Sequence, residues 1–178
     1  MSASRLIVGR ARILGDDVNT DYIISSARKR ESIDARVLKQ FLLEGVDPAF
    51  AASVQPSDVL VAGRNFGCGS AMEVAVTVIL AAGIPAVLAS SFSRTFFRNA
   101  INNGLLPVVA ETGLIREGDV LEIALGGAGT TLRSRTANAD VSTAGLSDIA
   151  LRILEVGGLV PYVRRHGSLR PRPVSTGP

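Results

Sequence analysis

Three glycines within seven residues, Gly63, Gly67 and Gly69, stand between a β-type apolar run, Asp58-Val-Leu-Val-Ala62, and a second apolar run that begins after Ser70. That order constrains the fold more than any other feature of the chain. The first run reads as a strand, the glycines as a turn, and the second run as a helix with a hydroxyl, Ser70, at its N-cap. Glycine tolerates positive φ and lets other groups approach the backbone closely. A helix start offers unpaired N–H groups and the positive end of a dipole to an anion. Ser70 therefore stands where a bound carboxylate is expected, a geometry suited to chemistry on a small anionic molecule. The turn is not a phosphate-binding loop, since no Gly-Lys-Ser/Thr closes it. It also lacks the Gly-x-Gly-x-x-Gly spacing of dinucleotide-binding turns.

The alternation continues along the chain. Strands are expected at 6–13, Val59–Ala62, Ala86–Ala89 and 106–110. Helices are expected at 35–44, capped by Asp34 and stopped by Gly45, at 71–82, at 94–102, ended by Asn103-Gly104, and at 146–155, followed by Gly157-Gly158. Residues 22–24 read as a short buried strand or extended segment, 27–32 as a highly charged loop and 46–56 as an irregular linker. The segments 119–125 and 130–136 flank Gly126-Gly-Ala-Gly129 and read as a β-hairpin. Strand, helix, strand and helix through the middle imply parallel pairing with helical crossovers, and the hairpin adds antiparallel strands. The fold class is thus α/β, a mixed sheet flanked by helices. Ligands in open sheets of this class favour the carboxyl ends of the strands, where 67–70 falls. Residues 1–167 are expected to form one domain, and 168–178, rich in Pro, Ser and Arg, a disordered tail.

Composition excludes several classes. With 47% apolar and 20% charged residues the chain is globular. The net charge of +3 suits an acidic partner or anionic substrate, but no basic stripe is interleaved with aromatics, so nucleic acid is not expected. The basic run from Arg164 to Arg172 reads as a solvated end. The uncharged stretch 74–92 approaches the length of a membrane span, but Gly83 and Pro85 interrupt it, which favours a helix followed by a buried strand. Arg5, Arg10 and Arg12 break the N-terminal apolar pieces, so no secretory signal is seen and a soluble cytoplasmic protein is expected. Cys68 is the single cysteine, which rules out an internal disulfide and an iron–sulfur cluster held by this chain alone. It reads as a small residue filling a tight turn rather than an activated thiol, because the single histidine, His166, is distant in the sequence.

Five motifs in order resemble one family. They are Gly15-Asp-Asp-Val-Asn-Thr-Asp-Tyr-Ile-Ile24, the turn Gly63-Arg-Asn-Phe-Gly-Cys-Gly-Ser70, Ala82-Gly-Ile-Pro-Ala-Val87, Ser91-Phe-Ser-Arg94 with Asn102-Asn-Gly-Leu-Leu-Pro107, and Ile153-Leu-Glu-Val-Gly-Gly-Leu-Val160. Together they resemble the small subunit of 3-isopropylmalate dehydratase, itself similar to the swivelling domain of aconitase. The resemblance implies the aconitase-like swivelling β/β/α fold. It also implies reversible dehydration of a 2-hydroxy di- or tricarboxylate, here within leucine biosynthesis, as a hydro-lyase inactive without its partner. No cofactor is then bound by this chain, and a 4Fe–4S cluster lies on a large-subunit partner. Citramalate, dimethylmalate or homoaconitate are alternative substrates, and a non-catalytic binding or regulatory partner of the same fold is the alternative class.

The resemblance also assigns residues. Ser70 matches the base that removes the substrate proton, while read from the residues alone it is also a helix cap; the two roles are compatible. Thr20 and Asp21 match an active-site Thr-Asp pair, or belong to an Asx-type turn built by Asp16, Asp17, Asn19 and Asp21. Arg28-Lys-Arg-Glu31 matches a substrate-recognition loop, with Arg30 on its arginine; otherwise it is a solvated charge run. The substrate-binding candidates are Arg30, Arg28, Gly67, Cys68, Gly69 and Asn65, with Arg64, Arg94 and Arg98 weaker. Where the family motif continues Gly-Ser-Ser-Arg-Glu-His, this chain has Ala71, Met72 and Val74 around Glu73. Met72 takes the place of an arginine that holds a substrate carboxylate, and no neutral side chain imitates its planar fork.

Overall fold

The computed structural model describes residues 5–126 and 129–167. The strand β1 (Arg5–Ile13) joins two halves of one sheet. Its residues 5–10 pair antiparallel with β5 (Val120–Gly126), and residues 11–13 pair parallel with β2 (Val59–Ala62). Beyond β2 lie β3 (Ala86–Ala89) and β4 (Leu106–Val109), both parallel. Beyond β5 lie β6 (Gly129–Ser134) and β7 (Ala139–Val141), both antiparallel. Among the described residues the order is β4-β3-β2-β1-β5-β6-β7, the mixed sheet expected. β2 and β3 keep the expected bounds, whereas β7 was missed because its three residues are too few and too polar to show a period.

The β2 and β3 strands are buried on both sides, so they read as unbroken apolar runs. Leu60, Ala62, Val87 and Ala89 face one core; Val59, Val61, Ala86 and Leu88 face the other. The first core is covered by α1 (Thr20–Ile23), α3 (Ala35–Leu38) and α5 (Glu73–Ala81). α5 buries Ala75, Val76, Val78 and Ile79, which accounts for the uncharged stretch. The second core takes Leu121, Ile123, Leu125 and Leu132 from β5 and β6 together with α7 (Asp148–Glu155) and Tyr162 of α8 (Leu159–His166). α6 (Arg94–Asn103) gives Phe96 and Ala100 to the first core and Ile101 to the second, with Ser93 capping its start and Gly104 at φ 82° ending it, as the Asn103-Gly104 signal predicts.

Other expectations are corrected. The charged run is helical, α2 (Ser26–Glu31), because Ser25 caps it and Ala, Arg, Lys and Glu are good helix formers. Residues 20–23 form the turn of α1 rather than a strand, because the Asn19 side chain accepts the Asp21 N–H. The helix expected at 35–44 does start at the Asp34 cap but tightens into a 3₁₀ turn at Lys39–Phe41; Leu43 then takes φ 57°. α4 (Phe50–Ser53) lies within the expected linker. The first part of the basic run, Arg164 to His166, belongs to α8, whose start was hidden by Gly157-Gly158 and Pro161. The tail 168–178 and the hairpin glycine Gly127 lie outside the described residues. No helix among the described residues is long and apolar enough to cross a membrane.

Asp58, at the start of β2, ties this strand to β1 at the end remote from the glycine turn. Its carboxylate accepts from Arg10 Nε and Nη2 at 3.1 and 2.8 Å, Arg12 Nη1 at 3.4 Å and the Gln55 N–H at 3.0 Å. Burial alone raises this carboxyl group, but the Arg10, Gln55 and Arg12 interactions outweigh it and hold it below the usual carboxylate value. Because the folded pKa is depressed, the stabilisation is complete above the unfolded pKa of about 3.9 and is lost as pH falls through the folded value. Asp58→Asn is expected to cost about 1.5–3 kcal/mol at neutral pH, the range for hydrogen bonds to a charged group. Urea titrations of both proteins at pH 7 and in acid check this: the gap between them should close as the acid side is reached.

Candidate active site

The carboxyl ends of β1, β2 and β3 each continue into a loop, and the three loops are laced together by backbone bonds. Gly63 N–H donates to Gly15 O, Asp17 N–H to Arg64 O, Gly67 N–H to Val18 O and Thr20 N–H to Cys68 O. On the other side Phe66 N–H donates to Ser91 O and Ser93 N–H to Phe66 O. Residues 63–70 are thus gripped between the 15–20 and 90–93 loops. Gly67, at φ 75°, lies so close to α6 that a Cβ would stand 2.2 Å from Phe96 Cγ. Gly69, at φ 91°, would place a Cβ 2.3 Å from Asn19 Oδ1, the atom that caps α1. Both require glycine for conformation and for space.

The turn delivers Ser70 differently from expectation. α5 begins at Glu73; Met72 stands at its N-cap in extended conformation and makes no side-chain cap bond. Ser70 is therefore not the cap. The reason is its carbonyl oxygen, which accepts a 2.9 Å bond from Thr20 Oγ1 and so keeps residues 70–72 from winding into the helix. Ser70 is exposed and Thr20 buried. The N–H groups of Gly69 and Ala71 donate to no described residue. Gly69 and Ala71 are the chain neighbours of Ser70, and nothing in the sequence singles out Ala71.

The remaining candidates divide. Asp21 accepts Ser26 Oγ at 2.7 Å. The expected Asx cluster is in fact three separate devices. Asn19 caps α1, Asp17 accepts Asn65 Nδ2 at 2.8 Å, and Asp16 accepts the Arg64 N–H at 2.7 Å and its guanidinium at 3.1 Å. The Arg64 N–H, then its side chain, hold the Asp16 carboxyl below its ordinary value. Asn65 itself, at φ 59°, donates its N–H to Ser91 Oγ. Arg28 stacks 3.8 Å over the Phe41 ring and forks onto Glu44 at 2.9 and 3.1 Å, so it ties α2 to the segment 41–44. Arg30 is exposed. Cys68 is half-buried, with its backbone in the bridge to Asn19. Arg94 and Arg98 line a cavity of about 550 Å³ with Ser91, Phe92, Phe97 and Val109, beside the turn at the ends of β3 and β4. His166 is exposed at the end of α8, its ring against Tyr162, which belongs to the second core.

Residues 24–113, which include the glycine turn and α2 but not Thr20 and Asp21, match the family described as the aconitase C-terminal domain. Similarity extends further. The chain is 40% identical to the 3-isopropylmalate dehydratase small subunit 2 of Archaeoglobus fulgidus, over 92% of this chain and 98% of that one. The chain belongs to this family. It is also 42% identical to the methanogen homoaconitase small subunit of Methanocaldococcus jannaschii, over 90% of this chain and 92% of that one. The crystal structure of a 3-isopropylmalate dehydratase from Methanocaldococcus jannaschii superposes with a TM-score of 0.85 at 40% identity, covering 92% of this chain and 96% of that one.

The aconitase family implies a 4Fe–4S cluster, and the residues of this chain do not fit one. Such a cluster takes three or four thiolates, whereas Cys68 is the single cysteine. Among the described residues no group of His, Cys, Asp and Glu converges to hold a metal ion. What this family member presents instead is an exposed hydroxyl on a glycine turn, backbone N–H groups in that turn that donate to no described residue, and the cations of α2.

Proposed function

We propose that this chain is the small subunit of a two-subunit hydro-lyase that interconverts 2-hydroxy dicarboxylates by dehydration and rehydration, with 3-isopropylmalate as the first substrate. The observation that carries the reading is the placement of Ser70: exposed, relieved of any capping duty, and fixed through its carbonyl by Thr20. In the reaction a C–H proton beside a carboxylate is removed, its electron pair forms a double bond, and hydroxide leaves the neighbouring carbon; water then adds back across that bond. Ser70 Oγ takes the proton. A serine hydroxyl is a very weak acid, so the alkoxide needs local stabilisation, which the N–H groups of Gly69 and Ala71 and the start of α5 supply in a site closed to water. Thr20 holds the turn in register, and Asp21, beside it on α1, faces the partner. Asn65, Cys68, Gly67 and Gly69 form the floor, and Arg30 is available to the substrate from α2.

The partner is the large subunit, which carries the 4Fe–4S cluster and closes the site, and the complex works in the cytoplasm. Homoaconitate or an alkylmalate such as citramalate is the second substrate reading, favoured by the 42% identity to a homoaconitase small subunit. The division of labour has a direct test. The purified chain alone should be colourless and inactive on 2-hydroxy diacids, and co-expression with its large subunit under anaerobic reconstitution should produce turnover. Dehydratase activity in the metal-free single chain overturns the two-subunit reading, and a reconstituted complex inert toward every hydroxy diacid overturns the hydro-lyase reading.

A further inference from the structure

Three consecutive cations pass the glycine turn on α2, and their environments differ. Arg28 is committed to Glu44, Glu31 and the Phe41 ring. Arg30 is exposed and makes no ion pair among the described residues. Lys29 is half-buried and reaches across to the turn, where its Nζ lies against Met72 Sδ. It makes no ion pair with any described residue. A thioether is a weak acceptor, whereas an ammonium carries three donors and a full charge. A cation withdrawn from water without an anion is unfavourable, so this position suits an incoming negative charge. Met72 is buried, two residues beyond Ser70, and brings no charge of its own.

We propose that Lys29 is the specificity-determining cation of the site, seating one carboxylate of the substrate over Met72. The inference rests on the hydroxy-diacid reading and deepens it. A lysine is a compact point charge on a flexible stem, not a planar fork. It reads the presence of a carboxylate strictly and its orientation loosely, so the site should accept diacids that differ in the alkyl group between the two carboxylates.

The test uses the reconstituted complex, 3-isopropylmalate and its two mono-methyl esters, with thermal melts to establish that each variant is folded. Lys29→Met should lower kcat/KM for the diacid by roughly tenfold to a hundredfold, mainly through KM, the size expected for one lost bond to a charged group. One of the two esters, lacking the carboxylate that Lys29 holds, should show no further loss. The exchanged double variant, Lys29→Met with Met72→Lys, returns an ammonium to the same contact from the opposite side and should recover most of the diacid activity. A purely structural lysine would lower all three substrates together and would not be rescued; that result, or unchanged kinetics in Lys29→Met, overturns the proposal. A second measurement does not need turnover: the diacid should protect Lys29 of the complex from reductive methylation, read by mass spectrometry, and one ester should not. Absence of protection overturns the proposal. Protection in a complex without hydro-lyase activity keeps the carboxylate site and overturns the reaction assigned to it.

Discussion

Ser70→Ala is expected to lower turnover of the reconstituted complex by roughly 10²–10⁴-fold, the contribution of a positioned proton-transfer group. Its stability should stay within about 0.5 kcal/mol of wild type, as for surface changes away from special features. The two effects separate because of how the turn is built. A serine at a true N-cap would cost about 0.5–2 kcal/mol when replaced by alanine, and activity lost alongside stability would be ambiguous. Here Met72 occupies the cap position, and Thr20 grips the Ser70 carbonyl, which alanine also possesses. The variant keeps that strap and loses the hydroxyl alone. Urea titration of the single chain and initial rates of the complex provide both readings. Near-normal turnover would transfer proton abstraction to another group, and a stability loss of cap size would show that Ser70 winds into the helix in solution.

The parts of this architecture that were legible in the sequence are those whose cause is local. β2 and β3 are short apolar runs cut by Gly63 and Pro85, and α6 starts at Ser93 and ends at Gly104 because a cap and a left-handed residue stand there. The hairpin of β5 and β6 follows from alternation on either side of a glycine cluster. What was not legible depends on distant partners. Nothing within 27–32 says that Arg28 folds back on Glu44 and Phe41 while Lys29 turns toward Met72, 43 residues away. The delayed start of α5 likewise has its cause in Thr20, 50 residues earlier than Ser70. A charge run such as 27–32 suggests a loop because solvation is the commoner fate of such runs, and α2 shows how one serine cap and good helix formers reverse that. The spacing of the glycines marks a tight strand-to-helix turn, and only the longer resemblance makes that turn a candidate site; neither reveals what each glycine avoids: Phe96 for Gly67, Asn19 for Gly69.

Gly67→Ala is expected to be the most destabilising single-methyl change in the turn. Two costs add. The residue has φ 75°, where an L side chain crowds its own backbone, at about 1–2 kcal/mol. The new Cβ would also stand 2.2 Å from Phe96 Cγ and 2.4 Å from Phe96 Cβ. The ring cannot step aside freely. It is 2% exposed, meets Phe66 edge-on at 5.0 Å between centroids and stacks with Phe92 at 6.3 Å. Its Cβ is fixed to the first turn of α6, so part of the clash moves backbone, and overpacking of this kind costs roughly 1–3 kcal/mol. The sum, about 2–5 kcal/mol, is a large share of the stability of an ordinary domain. Gly118→Ala supplies the comparison, since Gly118 has φ 83° but nothing within 4 Å of a Cβ; it should show the backbone cost alone. The difference between the two variants in urea titration then reads the contact with Phe96. Activity should fall with Gly67→Ala even in the folded fraction, because displacing residue 67 shifts its bonds to Val18 and Ser93, which hold the turn that carries Ser70. Equal losses in the two variants would mean that Phe96 yields without resistance and that α6 does not set the position of the turn.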